Sequence, residues 1–393
     1  MSLIDAEERE KTLILALKDR IDSSNAAQAE SEIFEAAAKT PHDTIVLDAA
    51  CLKYISSAGL RVILRLLKSE HSLSVINASS EVYEIFEMTG FTEMIPVSKA
   101  YRTLSVDGCE VIGQGAKGTV YRYNGDTIVK VYKNSDCLPD IQNERALAKR
   151  AFVLGIPTAI SYDVVKVGEN YGSVFEMLNA KSYSEIIVQD SANRDRYISD
   201  YAGLLKKIHE ITVKPEDMPD VKTFVMQWFD LVSPCLSAPA AEKLGRLLRE
   251  VPNVMTMLHC DYHTNNVMRQ DGQAFLIDMD TLSHGHPIFE LANIYVTYVG
   301  FGELDPTVVE NFLEMPYALA TEIWRKTIAI YLETDDESRI AEVENKVRVV
   351  SYLRLMRHRI RSGGMETEKG KQDVAYYRAQ LETLLKHTDT LTF

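Results

Sequence analysis

The chain has 393 residues, 46% hydrophobic and 25% charged, with 19 glycines and 12 prolines; this is the length of two or three domains and a folded composition, which excludes a disordered or fibrous chain. Lys and Arg number 43 against 57 Asp and Glu, a net charge of −14, and that balance argues against nucleic acid, whose recognition runs on basic patches. No apolar run approaches the roughly 20 residues that cross a bilayer, and the start, Ser2-Leu-Ile-Asp5-Ala-Glu-Glu8, is acidic where a secretory leader is basic, so a cytoplasmic protein without membrane contact is expected.

Residues 11 to 105 alternate between strand and helix patterns. Thr12–Leu17 reads as a strand, Ala26–Lys39 as a helix and Thr44–Asp48 as a short apolar strand. A helix is expected from about Ser57 to Ser69, with Leu60, Ile63, Leu64 and Leu67 at helical spacing. A strand at Leu73–Ile76 and a helix from Ser80, stopped by Gly90, complete a small α/β domain. The five cysteines, Cys51, Cys109, Cys137, Cys235 and Cys260, are odd in number and never spaced Cys-x-x-Cys, which indicates neither a disulfide framework nor a zinc cluster.

The pattern changes at 100 to 108. Gly118–Tyr123 and Asp126–Tyr132 flank Asn124-Gly125, a strong hairpin signal. Ahead of it stands Gly113-Gln-Gly115-Ala-Lys-Gly118-Thr-Val120, which fits G-x-G-x-x-G-x-V and leads into a hairpin instead of a dinucleotide-type helix. Such glycines let backbone amides approach a triphosphate. Lys130 on the returning strand is placed to reach the phosphates, and Glu144, in the helical stretch from Asp140 to Lys149, to pair with it. From about Ser182 onward the chain is mainly helical, interrupted by an apolar segment from Met257 to Met279.

That segment holds the strongest signal, Leu258-His-Cys-Asp261-Tyr-His-Thr-Asn-Asn266 followed by Phe275-Leu-Ile-Asp278-Met-Asp280. Phosphoryl transfer needs a carboxylate to orient the attacking hydroxyl and oxygen ligands that hold Mg²⁺ against the phosphates. Asp261 suits the first role, Asn266 and Asp278 the second. His259 fits a bracing role, and His263 either braces the loop or lines the substrate pocket.

From about Cys109 onward the chain resembles the protein-kinase-like superfamily, in particular its aminoglycoside phosphotransferase and choline kinase branch. The resemblance rests on the glycine loop, His259-Cys-Asp261-Tyr-His263-Thr-Asn-Asn266, Ile277-Asp278-Met-Asp280 and Gly285-His-Pro287-Ile-Phe-Glu290-Leu-Ala292. It implies a bilobal α+β domain over 106–393, with a β-rich N-lobe (106–176), a helical C-lobe (179–393), and Mg·ATP in the cleft. The nucleotide would lie against Gly113, Gly115, Gly118, Val120, Lys130 and a hinge at Phe175-Glu176-Met177-Leu178. Cys260 stands where the branch usually has Gly, and Glu290 where it has Asp. Eleven residues between Asp278 and Glu290 leave no room for a protein-kinase activation loop. That favours a small hydroxyl acceptor over a protein, a cationic one included if the acidic residues of 182–250 line its pocket.

Residues 10 to 105 resemble the STAS domain of anti-sigma-factor antagonists. Asp19-Arg-Ile-Asp22, Ile45-Val-Leu-Asp48, Tyr54-Ile-Ser-Ser-Ala-Gly-Leu60 and Val82 to Phe91 carry the likeness. It implies an anti-sigma factor as protein partner and a phosphoacceptor serine, which falls at Ser57, with Ser56 where the family usually has Asp. A serine here is equally read as a helix N-cap. The expected function is an ATP- and Mg-dependent phosphotransferase coupled to a regulatory STAS domain (1–105). The alternative is a non-catalytic, nucleotide-sensing STAS switch that works by protein binding.

Overall fold

The computed structural model describes residues 2–70, 72–115 and 117–393. The chain forms two compact units, one taking in residues up to Ser105 together with Val164–Glu169, the other Val106–Asp163 and Asn170–Phe393.

In the first unit five strands lie in the order β1-β2-β3-β4-β5: β1 (Ile4–Arg9), β2 (Thr12–Ile21), β3 (Thr44–Ile55), β4 (Leu73–Ala78) and β5 (Val97–Lys99). β1 is antiparallel to β2, and the remaining neighbours run parallel. The crossovers are the helices α1 (Ala26–Lys39), α2 (Ser57–Ser69) and α3 (Ser80–Met88), with the single turn α4 (Phe91–Met94). Alternate side chains Leu13, Leu15 and Leu17 of β2 meet Ile45, Leu47 and Ala49 of β3 and Val62, Ile63 and Leu66 of α2 in the core. Beside the longer β2 and the added β5, two features differ from what the sequence implies. β1 was not expected, since Ile4 alone of its residues is buried and its side chains give no apolar alternation. β3 continues to Ile55 where Asp48 suggested an end, because Leu52 and Ile55 are buried again after register shifts against β2.

Within the same unit, β6 (Arg102–Thr103) pairs in parallel with β10 (Asp163–Val167). The second unit begins with β7 (Glu110–Gln114), β8 (Gly118–Asn124) and β9 (Thr127–Tyr132), joined antiparallel, and β11 (Asn170–Glu176) adds beside β9. Helix α5 (Leu138–Val153) follows the hairpins and buries Ile141, Glu144, Leu147 and Ala151. The rest is helical: α6 (Tyr183–Gln189), α7 (Arg194–His209), α8 (Val221–Val232), α9 (Ala238–Glu250), α10 (Ile288–Tyr298), α11 (Pro306–Leu313), α12 (Tyr317–Leu332), α13 (Glu337–Arg361) and α14 (Glu368–Leu385). Short strands interrupt it. β12 (Lys181–Ser182), β14 (Val267–Gln270) and β15 (Gln273–Leu276) form one sheet, and β13 (Met257–Leu258) pairs with β16 (Ser283–His284). Every residue of α10 is buried, which makes that helix the axis on which the site is built. Among the described residues no helix is long and apolar enough to cross a membrane, and all five cysteines are free.

Candidate active site

Lys130 sits on β9 opposite Val120 of β8 and Ser173 of β11. Its Nζ donates to both carboxylate oxygens of Glu144, at 3.1 and 3.3 Å, and to Asp278 Oδ1 at 2.8 Å. Burial alone would push this amine down, but the charges of Asp278 and Glu144 outweigh it and hold the ammonium well above its ordinary range. Glu144, 7% exposed, also accepts from the Tyr132 hydroxyl at 2.8 Å. The expected pairing of Lys130 with Glu144 is therefore present, and the same lysine reaches the carboxylate that ends the second motif.

Gly118 is required by packing, since a Cβ there would lie 2.4 Å from the carbonyl oxygen of Val131. A Cβ at Gly113 would meet Val120 only at 3.6 Å, and at Gly115 nothing closer than 4.0 Å, so neither glycine is needed for the strands to meet. Ala116 lies outside the described residues. Lys117 Nζ donates to Asp280 Oδ2, and Lys133 Nζ to the Gly115 carbonyl at 2.8 Å. Glu176 closes β11, and Met177 N–H donates to Asp126 O at 2.8 Å.

The loop from His259 to Asn266 leaves β13 and enters β14. Its anchor is Glu290, fully buried on α10, which accepts the backbone N–H of His259 at 2.8 Å and of Cys260 at 2.6 Å. His209 Nε2 lies 2.9 Å from the same carboxylate. Cys260 takes φ 64°, the left-handed region that favours glycine, and burial pushes its thiol up. Asp261 N–H lies 3.3 Å from His259 Nδ1, and Nε2 of the same ring lies 3.3 Å from the Ile277 carbonyl. Asn266 Nδ2 donates to the Asp261 carbonyl at 3.0 Å and more weakly to its Oδ2 at 3.4 Å. Burial raises the Asp261 carboxyl, but His263, whose Nε2 is 3.6 Å from Oδ2, and His259 bring it well below the usual carboxylate range.

Asn266 O accepts from Ile277 N–H at 3.0 Å, which ties the loop to the residue before Asp278. Asp278 itself is left-handed, φ 61°, and its carboxyl is raised by burial but lowered more by Lys130. Ligand oxygens of Glu144, Asp278 and Asp280 lie within 4.8 Å of one another. Asp280 had not been singled out; its signal is the second acid of Ile-Asp-x-Asp. The structure thus gathers Lys130, Glu144 and Asp278 directly, and links Asp261 to Asn266. Four of the acids of 182–250 have partners of their own: Glu185 accepts from Gln189, Asp190 from Tyr197, Asp195 from Lys326, and Asp220 caps α8.

In the first unit, Ser56 is the N-cap of α2 and its hydroxyl accepts from Ala58 N–H at 3.2 Å. Ser57 opens the helix with its side chain exposed. Gly59 is forced, because a Cβ would lie 2.7 Å from Ile55 and 2.9 Å from the Ile21 carbonyl.

An α/β unit followed in the chain by an α+β unit with a helical C-terminal half defines a class, and comparison with known proteins places the chain within it. The phosphotransferase enzyme family matches residues 108–325 and the STAS domain residues 4–105. The chain belongs to the phosphotransferase enzyme family, carries an N-terminal STAS domain, and is a kinase-type phosphotransferase. A Bordetella bronchiseptica protein named as an anti-sigma factor antagonist, BtrV, is 37% identical over 92 residues, 22% of this chain and 78% of that one. Aminoglycoside phosphotransferase APH(2″)-Ib, solved with ADP, aligns at a TM-score of 0.46 and 15% identity over 77% of this chain and 98% of that one. A choline/ethanolamine kinase family protein from Mesorhizobium loti aligns at 0.45 and 14%, over 72% and 88%.

Proposed function

We propose that residues 106–393 transfer the γ-phosphoryl group of ATP to a hydroxyl of a small molecule in the cytoplasm, and that residues 1–105 regulate this through a protein partner. One observation carries the reading: Lys130 is clamped between Glu144 and Asp278 while Asp261 stays ionised on a loop tied to Asp278 through Asn266. The glycines at 113 and 115 keep side chains away from the phosphates, Lys130 supplies a fixed positive charge to them, and Glu176 ends the strand that leads into the hinge. Asp278, with the Oδ1 of Asn266, offers the hard oxygen donors that suit magnesium, and Asp280 and Glu144 add carboxylates nearby. Magnesium, when bound, neutralises charge on the phosphates. Asp261 orients the acceptor hydroxyl. As the acceptor oxygen bonds to the γ-phosphorus, the bond to the bridging oxygen of ADP breaks and the hydroxyl proton passes to the Asp261 carboxylate, then to solvent.

A phosphorylation screen of hydroxyl metabolites with the full chain and labelled ATP tests this. Labelled product that disappears in Asp261→Asn supports it. A rise in melting temperature with Mg·ATP but no labelled product would replace it with the nucleotide-sensing switch. A second reading attaches to Ser57: because Ser56 supplies the cap, the exposed Ser57 hydroxyl is left for phosphorylation, and a phosphate there would face the positive end of α2. An anti-sigma factor is the partner class this reading predicts.

A further inference from the structure

Helix α11 is apolar on its buried side and carries apolar residues on its outer side as well. Its inner residues Val309 and Leu313 are core, yet Val308 is 42% and Phe312 49% exposed, and Leu304, just before the N-cap Asp305, is 36% exposed. Val308 and Phe312, four apart, share one face of the helix as a stripe of about 6 Å, where a surface helix ordinarily shows polar residues.

The stripe ends on the loop that carries Asp261. The Phe312 carbonyl accepts from Asn265 Nδ2 at 2.7 Å, and the Phe312 ring stands edge-on to His263, centroids 5.0 Å apart at 74°. His263 is 5% exposed, and its Nδ1 has no partner among the described residues, while Nε2 faces Asp261 Oδ2 at 3.6 Å. An aromatic wall, an imidazole and the proton-accepting carboxylate thus stand in sequence. The carboxylate of α11, Glu310, accepts from Tyr317 N–H at 3.1 Å, and Asp305 is used as the helix cap, so the stripe presents carbon where a cationic acceptor would want anions.

We propose that the acceptor is a small alcohol bearing an apolar group, aromatic or branched aliphatic, which packs on Phe312 and Val308 while its hydroxyl reaches Asp261. The inference rests on the phosphotransferase reading above and adds the substrate class. An alcohol whose hydroxyl reaches Asp261 past His263 turns its far end, not the carbon bearing the hydroxyl, towards the Phe312 ring. Apolar atoms gain burial there, whereas ammonium or polyol groups lose hydration without a partner.

The test uses the full chain with Mg·ATP and the probes ethanol, 1-butanol, 1-hexanol, 2-phenylethanol and ethanolamine. Transfer is measured from labelled ATP, and binding by ligand-observed NMR with a non-hydrolysable ATP analogue. The proposal expects kcat/KM and binding to rise about threefold per added methylene, 2-phenylethanol to exceed ethanolamine by tenfold or more, and Phe312→Ser to remove most of that preference. Val308→Ser, which leaves the contact with His263 in place, should lower it by a smaller factor. A flat series, or ethanolamine preferred in the wild type and unaffected by either substitution, overturns the substrate class and leaves the phosphotransferase reading standing. A serine peptide with apolar flanking residues is added as a further probe, and transfer to it alone overturns the substrate class in favour of a protein acceptor. Nucleotide binding with no binding or transfer of any of these probes overturns this inference alone; the phosphotransferase reading falls only if the metabolite screen also gives no labelled product.

Discussion

Glu290 holds Cys260 in a glycine's conformation: Oε1 of the buried carboxylate accepts the Cys260 N–H at 2.6 Å, and Oε2 that of His259 at 2.8 Å. This acid, in the first turn of α10, reaches the two amides that fix the turn before Asp261. Cutting Glu290 to Ala leaves two buried N–H groups and His209 without their acceptor, and should cost about 3 kcal/mol of unfolding free energy in denaturant melts. Cys260→Gly should be about 1 kcal/mol more stable than Cys260→Ala, because both lose the thiol but only glycine relaxes at φ 64°. Equal melts for the two would mean that the left-handed turn is not strained.

Burial, with a smaller contribution from His209, lowers the His286 imidazole to about 4. Its Nδ1 accepts from Ile288 N–H at 3.1 Å at the start of α10. A histidine whose folded pKa is depressed costs nothing above its unfolded value near 6.5. As pH falls from about 6.5 towards 4 the unfolded chain binds a proton that the folded one refuses, and stability drops by about 3 kcal/mol. His286→Asn keeps an acceptor without titrating there, so the fall in melting temperature between pH 7 and pH 4.5 should be smaller in this variant than in the wild type.

Lys130 separates two carboxylates. Lys130→Met leaves Glu144 buried without its cation and should raise KM for Mg·ATP tenfold or more, with a destabilisation of about 2 to 3 kcal/mol. Adding Glu144→Gln should recover part of the stability and none of the nucleotide affinity. If the double variant regains both, Lys130 is structural only.

If the kinase unit labels the first unit from ATP, in cis or in trans, the label should fall on Ser57 and be missing from Ser57→Ala. Equal labelling of the two proteins removes Ser57 as the acceptor.

Much of the active site was legible because its chemistry is written in short runs. Gly113 to Val120, Asp261 to Asn266 and Asp278 are local motifs, and Glu144 falls on the buried face of α5 at the spacing expected. What the sequence hides depends on residues distant in the chain. The carboxylate of Glu290 reaches the turn at His259, 31 residues earlier, and no pattern around Glu290 says that the longer side chain compensates for its identity. The exposure of Phe312 is equally silent, since an apolar residue in α11 reads as core until its neighbours are known. In the first unit the alternation of strand and helix was clear from apolar runs, but β1, exposed on nearly every residue, carried no such run, and β3 was cut short because Asp48 looked like a turn. Ser56 and Ser57 could not be told apart until the cap geometry assigned the hydroxyl of Ser56 to Ala58.

The central claim is that Asp261 is the group that orients and deprotonates the acceptor. The most direct measurement compares wild type and Asp261→Asn in two readings from one preparation: single-turnover phosphoryl transfer to the acceptor found in the screen, and Mg·ATP binding by calorimetry. Asparagine preserves the shape and keeps one acceptor oxygen but cannot take the proton. The prediction is transfer reduced by 10³-fold or more, about 4 kcal/mol in the barrier, with the dissociation constant of Mg·ATP changed less than threefold. Transfer within tenfold of wild type would contradict the assignment.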